Sequence, residues 1–209
     1  MNNPRTVIVT GAGSGIGKAA ADMLARHGCQ LVLVGRREGP LRKTQEAIAE
    51  HGNTAHRVLA CDVTDAGAGR RIVEACAEAF GGVDAVLSNA GGTRNRALPD
   101  ITDDDIAFEF AVNLLGPLSL LRAAWPEFAR AHGRGVTPAF VAVSSIASID
   151  PFPGLGVYGC AKAGLNTLAK ACVNEGSDIG IRAYSVAPGA VETPLLRSII
   201  DDVSLPTAM

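Results

Sequence analysis

Tyr158 and Lys162 stand four residues apart in Tyr158-Gly159-Cys160-Ala161-Lys162. On a helix, positions i and i+4 share a face, so a phenol and an ammonium would lie side by side. A free tyrosine ionises near pH ~10 and is a poor base at neutrality. A neighbouring ammonium favours the phenolate, and such a pair exchanges a proton near neutral pH. A second group of residues suits another task. Thr10-Gly11-Ala12-Gly13-Ser14-Gly15-Ile16-Gly17 follows a short apolar run and precedes an amphipathic stretch. Glycines there permit a tight turn and a close approach of backbone to a pyrophosphate. A helix N-terminus adds free N–H groups and the positive end of its dipole.

Two further residues belong with these. Asn113 interrupts an apolar helical stretch, where an unpartnered amide is costly. Ser145 ends a strand, thirteen residues before Tyr158. Ser144 is its rival, but strand alternation points the two to opposite sides. The elements that must position them are legible as alternating runs. Strands are predicted at 7–10, 31–34, 57–61, 85–88, 139–143 and 181–186. Helices are predicted at 15–27, 38–51, 69–80, 104–131 and 158–174. Six strands with helical crossovers predict an α/β fold: a doubly wound parallel sheet covered on both faces. The carboxyl ends of such strands are where ligands bind. We expect residues 1–209 to form a single domain, with no repeat or linker.

Composition excludes several classes. The net charge of −2 argues against a nucleic-acid partner, which needs a basic face. A hydrophobic share of 47% argues against disorder. Cys29, Cys61, Cys76, Cys160 and Cys172 are odd in number and lack C-x-x-C spacing, so reduced thiols in a cytoplasmic protein are expected, not zinc or disulfides. No signal-peptide core is visible, and no run approaches the roughly 18 apolar residues of a membrane span. His27, His51, His56 and His132 show no metal spacing and read as surface or helix-end residues. Cys160, at i+2 from Tyr158, should point off the Tyr–Lys face and be a small buried residue.

The glycine spacing is T-G-x-x-x-G-I-G, and with it the chain resembles the short-chain dehydrogenase/reductase family. Asp62-Val63 follows the third strand, where family members place the adenine ring. Asn89-Ala90-Gly91 follows the fourth, where it braces the sheet beside the cofactor. Pro188-Gly189 follows the sixth, with Val191 and Thr193 matching positions at the nicotinamide end. The resemblance spans residues 5 to about 195 and implies a Rossmann fold of strand order 3-2-1-4-5-6. It implies an oxidoreductase that moves a hydride between a nicotinamide cofactor and a carbonyl/alcohol substrate. Gly11, Gly13, Ser14, Gly15, Ile16 and Gly17 would hold the pyrophosphate. NAD binders carry an acidic residue at the end of the second strand. Here Gly35 stands in that place and Arg36-Arg37 follow, which favours the 2′-phosphate of NADP over NAD, though Ser14 stands where many NADP binders have a second basic residue.

The resemblance also assigns roles. Ser145 would hold the substrate oxygen, and Tyr158 would protonate or deprotonate it. Lys162 would lower the Tyr158 pKa and bind the nicotinamide ribose. Asn113 would position a water linking Lys162 to solvent. A homodimer or homotetramer is implied, with the helices bearing Asn113 and Tyr158 packing on a partner; Ala163, Gly164, Ala169 and Ala171 are small enough to allow it. A catalytically idle binding protein on the same fold is the alternative. An epimerase or dehydratase on the extended fold would need a C-terminal substrate domain. Segments 92–96, 146–157 and the stretch after Thr193 should frame the substrate; Arg94 and Arg96 read as acid-binding or, more commonly, solvated. Relatives continue past the Pro-Gly motif into a further helix and a seventh strand. This chain ends at Met209, so the usual seventh strand is expected to be missing.

Overall fold

The computed structural model describes residues 4–51 and 55–202. Its sheet has six parallel strands in the order 3-2-1-4-5-6: β1 (Thr6–Thr10), β2 (Gln30–Gly35), β3 (His56–Ala60), β4 (Ala85–Ser88), β5 (Ala139–Val143) and β6 (Arg182–Val186). Central β1 is buried along its whole length, as a parallel strand covered on both faces must be. The crossovers are α1 (Gly15–Arg26), α2 (Glu38–Ala49), α3 (Ala68–Phe80), α4 (Asp103–Phe110), α5 (Gly116–Gly133) and α6 (Gly156–Glu175); α7 (Pro194–Asp202) follows β6.

Strand alternation divides the core. Ile8, Val32, Val86 and Phe140 face α3, α5 and α6, where Ile72, Leu120, Phe128 and Leu165 meet them. Val7, Val9, Leu31 and Leu33 face α1 and α2, against Ala21, Ala25, Leu41 and Ile48. Coverage of both faces, expected for the whole sheet, fails at one end. On β6, Tyr184 and Val186 are about half exposed. Among the described residues no helix lies over that face and no strand pairs with the outer edge of β6. Residues 203–209, the last of the expected substrate-framing stretch, lie outside those described.

The predicted helix over 104–131 is two helices separated by a π-turn, Ala111–Leu115. Pro117 explains the break. It has no N–H to give the Asn113 carbonyl, and the Gly116 N–H instead bonds Ala111 O, five residues back. Within Asp103–Gly133 an 18-residue window has a mean hydropathy of 1.4, apolar enough by length and composition alone to cross a membrane. In this fold it is a layer helix, and α5 packs on α3. Of the four small residues expected at a partner interface, two are spent within the chain. Ala169 is buried, and Gly164 lies under Leu114, whose side chain would stand 2.9 Å from an added Cβ.

Candidate active site

The turn between β1 and α1 closes only around glycine. Gly11 and Gly15 have φ of +67° and +51°. A Cβ on Gly17 would lie 2.3 Å from Gly11 O and 2.4 Å from Asn89 Nδ2. The Asn89 amide donates to Thr10 O at 3.0 Å, and the Thr10 hydroxyl accepts from the N–H groups of Asn89 and Ala90 at 3.0 and 2.9 Å. Thr44 donates to Ala12 O at 3.0 Å and pins the turn from α2. Ser14 precedes α1 without capping it, so the first-turn N–H groups face the cleft. This is a cradle that a Cβ would fill, and it fits a pyrophosphate.

The cradle opens into a cleft of about 1340 Å³ along the carboxyl ends of the strands. Arg36 and Arg37 line it after β2, and Asp62 and Val63 after β3. Asn89, Ala90 and Gly91 line it after β4, Ser145 after β5, and Pro188, Gly189, Val191 and Thr193 after β6. The sequence-predicted set therefore converges, with two members behind the wall. Gly17 is buried under the turn, and Asn113 is fully buried in the π-turn. Arg36 and Arg37 are exposed, and neither forms an ion pair among the described residues. Asp62 Oδ1 accepts from Thr64 N at 3.0 Å and Thr64 Oγ1 at 2.8 Å, which holds the turn after β3.

At the far end of the cleft the two serines after β5 diverge, as alternation predicts. Ser144 is buried and donates to Lys162 O at 3.1 Å. Ser145 faces the cleft, accepts from Ala147 N at 3.2 Å and lines the cleft together with Tyr158. Lys162 Nζ donates to Val143 O at 2.8 Å and lies 5.6 Å from the centre of the Tyr158 ring. Burial pushes the Tyr158 hydroxyl above its ordinary value and the Glu109 carboxylate adds to this, while the Ser145 hydroxyl opposes both. Lowering by Lys162, expected from the i, i+4 spacing, does not dominate; desolvation does. Lys162 itself is brought down to about 8 by burial, with Glu109 resisting.

The Asn113 side chain is fully engaged within the chain. Its amide donates to Gly92 O at 2.8 Å, Glu109 O at 3.0 Å and Glu109 Oε2 at 2.9 Å, and Oδ1 accepts from Gly92 N. Both amide hydrogens are committed, and Pro117, lacking an N–H, offers the Asn113 main-chain carbonyl no helical donor.

Three side chains escaped the sequence reading. Thr10 and Thr44 brace the cradle, and Glu109 is a buried carboxylate. Two expectations are corrected and a third is sharpened. Cys160 does lie off the Tyr–Lys face, but it is exposed, because that face of α6 has no described neighbour. His56 is neither on the surface nor at a helix end: it starts β3, its ring nitrogens are buried without a hydrogen-bond partner among the described residues, and burial pushes its pKa down. Arg94 and Arg96 are solvent-exposed, as the commoner reading has it, but their guanidiniums are engaged within the chain. They bind Asp105 at 3.0 and 2.7 Å, and Arg94 also lies 4.6 Å over the Phe108 ring. The Arg94 hydrogen bond above all holds the Asp105 carboxyl well below the usual carboxylate range.

Comparison with known proteins agrees with this geometry. A family model described as short chain dehydrogenase matches residues 5–204. An uncharacterised oxidoreductase of Listeria monocytogenes is 35% identical over 201 residues, covering 94% of this chain and 78% of the relative. The structure of a 3-ketoacyl-(acyl-carrier-protein) reductase from Brucella melitensis, complexed with NADH, superposes with a TM-score of 0.87 at 25% identity, covering 94% of this chain and 80% of that one. A 3-oxoacyl (acyl-carrier-protein) reductase from Agrobacterium tumefaciens with NADP bound gives 0.83 at 33% identity, covering 91% and 71%. A sheet of this order, a glycine cradle at its first turn and matches over nearly the whole chain agree: the protein belongs to the short chain dehydrogenase family of oxidoreductases.

Proposed function

We propose that this protein interconverts a carbonyl and an alcohol with NADP(H), using Tyr158 as general acid and base. The observation that carries the reading is the meeting of Ser145, Tyr158 and Lys162 in the cleft that the glycine cradle opens into, with Lys162 Nζ 5.6 Å from the centre of the tyrosine ring. The cofactor supplies or accepts the hydride. Ser145 donates to the substrate oxygen and stabilises its developing charge. Tyr158, kept protonated at neutral pH by burial, gives its proton to that oxygen in reduction. Lys162 holds the ribose and its charge favours the phenolate that forms. The Asn113 carbonyl holds a water on the path by which Tyr158 recovers a proton. Phe108, Ile146, Phe152 and Leu196 give the substrate end of the cleft an apolar lining.

For the cofactor, the support is Gly35 followed by two arginines at the lip of the cleft that form no ion pair among the described residues. Related structures carry NADH or NADP, so they support a nicotinamide cofactor of either kind. An Arg36→Asp protein should bind NADPH far more weakly and NADH little changed, because an attractive charge at the 2′-phosphate becomes a repulsive one. Fluorescence titrations showing that the unaltered protein prefers NADH would overturn the NADP assignment. A panel of ketones, aldehydes and secondary alcohols, followed by nicotinamide absorbance, tests the activity. Silence across it with cofactor bound would favour the idle binding protein.

We take residues 1–209 as one cofactor-binding and catalytic domain. The five free cysteines suit a reducing compartment, and we place the protein in the cytoplasm. A homodimer or homotetramer is proposed, since Leu115, Leu118 and Val173 leave exposed apolar surface on the helices beside the site. Light scattering at micromolar concentration should give two or four chain masses, and a monomer mass would contradict this.

A further inference from the structure

Glu109 is 3% exposed, on the last turn of α4, and nothing in the mechanism above uses it. A buried carboxylate is costly unless its oxygens are satisfied. Both are. Oε1 accepts from Arg94 N at 2.8 Å, and Oε2 accepts from the Asn113 amide at 2.9 Å. Asn113 and Lys162 meet at one glycine, Gly91. A Cβ placed on Gly91 would be 2.9 Å from Asn113 Oδ1 and 3.4 Å from Lys162 Nζ, so both groups crowd one glycine. The amide that holds the buried carboxylate and the buried ammonium thus lie around the same glycine.

The other charges nearby are already matched. On α4, Asp105 holds Arg94 and Arg96. On α6, Tyr158 is neutral at neutral pH, and β5 offers Lys162 only the Val143 carbonyl. Glu109 is then the carboxylate left to balance Lys162. We propose that Glu109 is a positioning residue of this site: its carboxylate orients the Asn113 amide and supplies the charge that keeps buried Lys162 an ammonium. The proposal deepens the reading of Lys162 given above and rests on it. Burial pulls Lys162 down while Glu109 holds it up, and burial pushes Glu109 up while Lys162 is among the groups that hold it down.

The chain has four lysines, so ¹³C-lysine labelling gives four side-chain signals, and Lys162→Met identifies the one that matters. The whole protein, free of substrate, is titrated by NMR. In Glu109→Gln the Lys162 midpoint should fall by about 1 pH unit or more, the size expected when a close opposite charge is removed. In Glu109→Asp, which keeps the charge, it should return toward the unaltered value. A Lys162 midpoint that is the same in Glu109→Gln and the unaltered protein would overturn the proposal. Should Glu109→Gln fail to fold, the unaltered protein decides: ¹³C signals of the Glu109 carboxyl and Lys162 must each show the other's titration, and independent curves would overturn it. The titrations need no turnover, so their failure is distinct from silence in the substrate panel.

Discussion

Tyr158→Phe should cut turnover by at least about 10²-fold, within the ~10²–10⁴-fold that general acid–base groups contribute, while leaving the fold and cofactor affinity intact. The change removes one oxygen from a side chain that is 9% exposed and keeps the ring packed with Ala147 and Leu155. Ser145 keeps its bond from Ala147 N, so the loop after β5 has no reason to move. Cofactor binding, read by fluorescence, separates a lost proton donor from a lost site. The pH dependence follows from direction. Burial and Glu109 push the Tyr158 hydroxyl up, so it is protonated at neutral pH. Reduction, which needs the acid form, should be flat through neutrality and decline only in alkali. Oxidation, which needs the phenolate, should rise with pH over that alkaline range. Near-normal turnover in Tyr158→Phe would overturn the mechanism.

The sheet was legible because parallel strands buried on both sides are short unbroken apolar runs. Their order came with the family resemblance, and the ligand site at their carboxyl ends with the rule for open α/β sheets. The cradle was legible because only glycine fits positions such as Gly17. What failed was information that lives between elements. The π-turn needs Pro117 to be weighed against Asn113, four residues earlier, within a stretch whose apolar pattern alone reads as one helix. Glu109 was within reach: the cost argument applied to Asn113 holds equally for a carboxylate at i−4 on the same face. Arg94 and Arg96 could not be paired with Asp105 from sequence, because that contact joins a loop after β4 to the first turn of α4. His56 and Cys160 were misjudged for one reason. Burial depends on what packs above a residue, and its own element does not disclose that.

Lys162→Met should remove nearly all turnover and, at neutral pH, make the protein more stable. Lys162 is 3% exposed, and burial has brought its amine from an ordinary 10.5 to about 8. Below pH ~8 the group is charged both folded and unfolded, and the fold bears the full cost of burying that charge. Between about 8 and 10.5 the folded form gives up its proton first, so this contribution to stability rises with pH and the cost is gone above it. Methionine has similar bulk and no charge, so the cost, of order 3 kcal/mol, is absent at every pH. The Val143 carbonyl loses its donor, which takes back about 1 kcal/mol. A net gain of about 2 kcal/mol is expected at pH ~7, read from urea unfolding. The same comparison near pH ~10 should show the gain shrinking or reversed, because the unaltered amine is by then neutral in the fold. Taking the difference between the two proteins cancels the buried thiols and Tyr158, which titrate in the same range. Equal stability at both pH values would mean that Lys162 is not strained by burial. A stabilised protein without turnover would instead show that the fold carries this ammonium at a cost, for the reaction it serves.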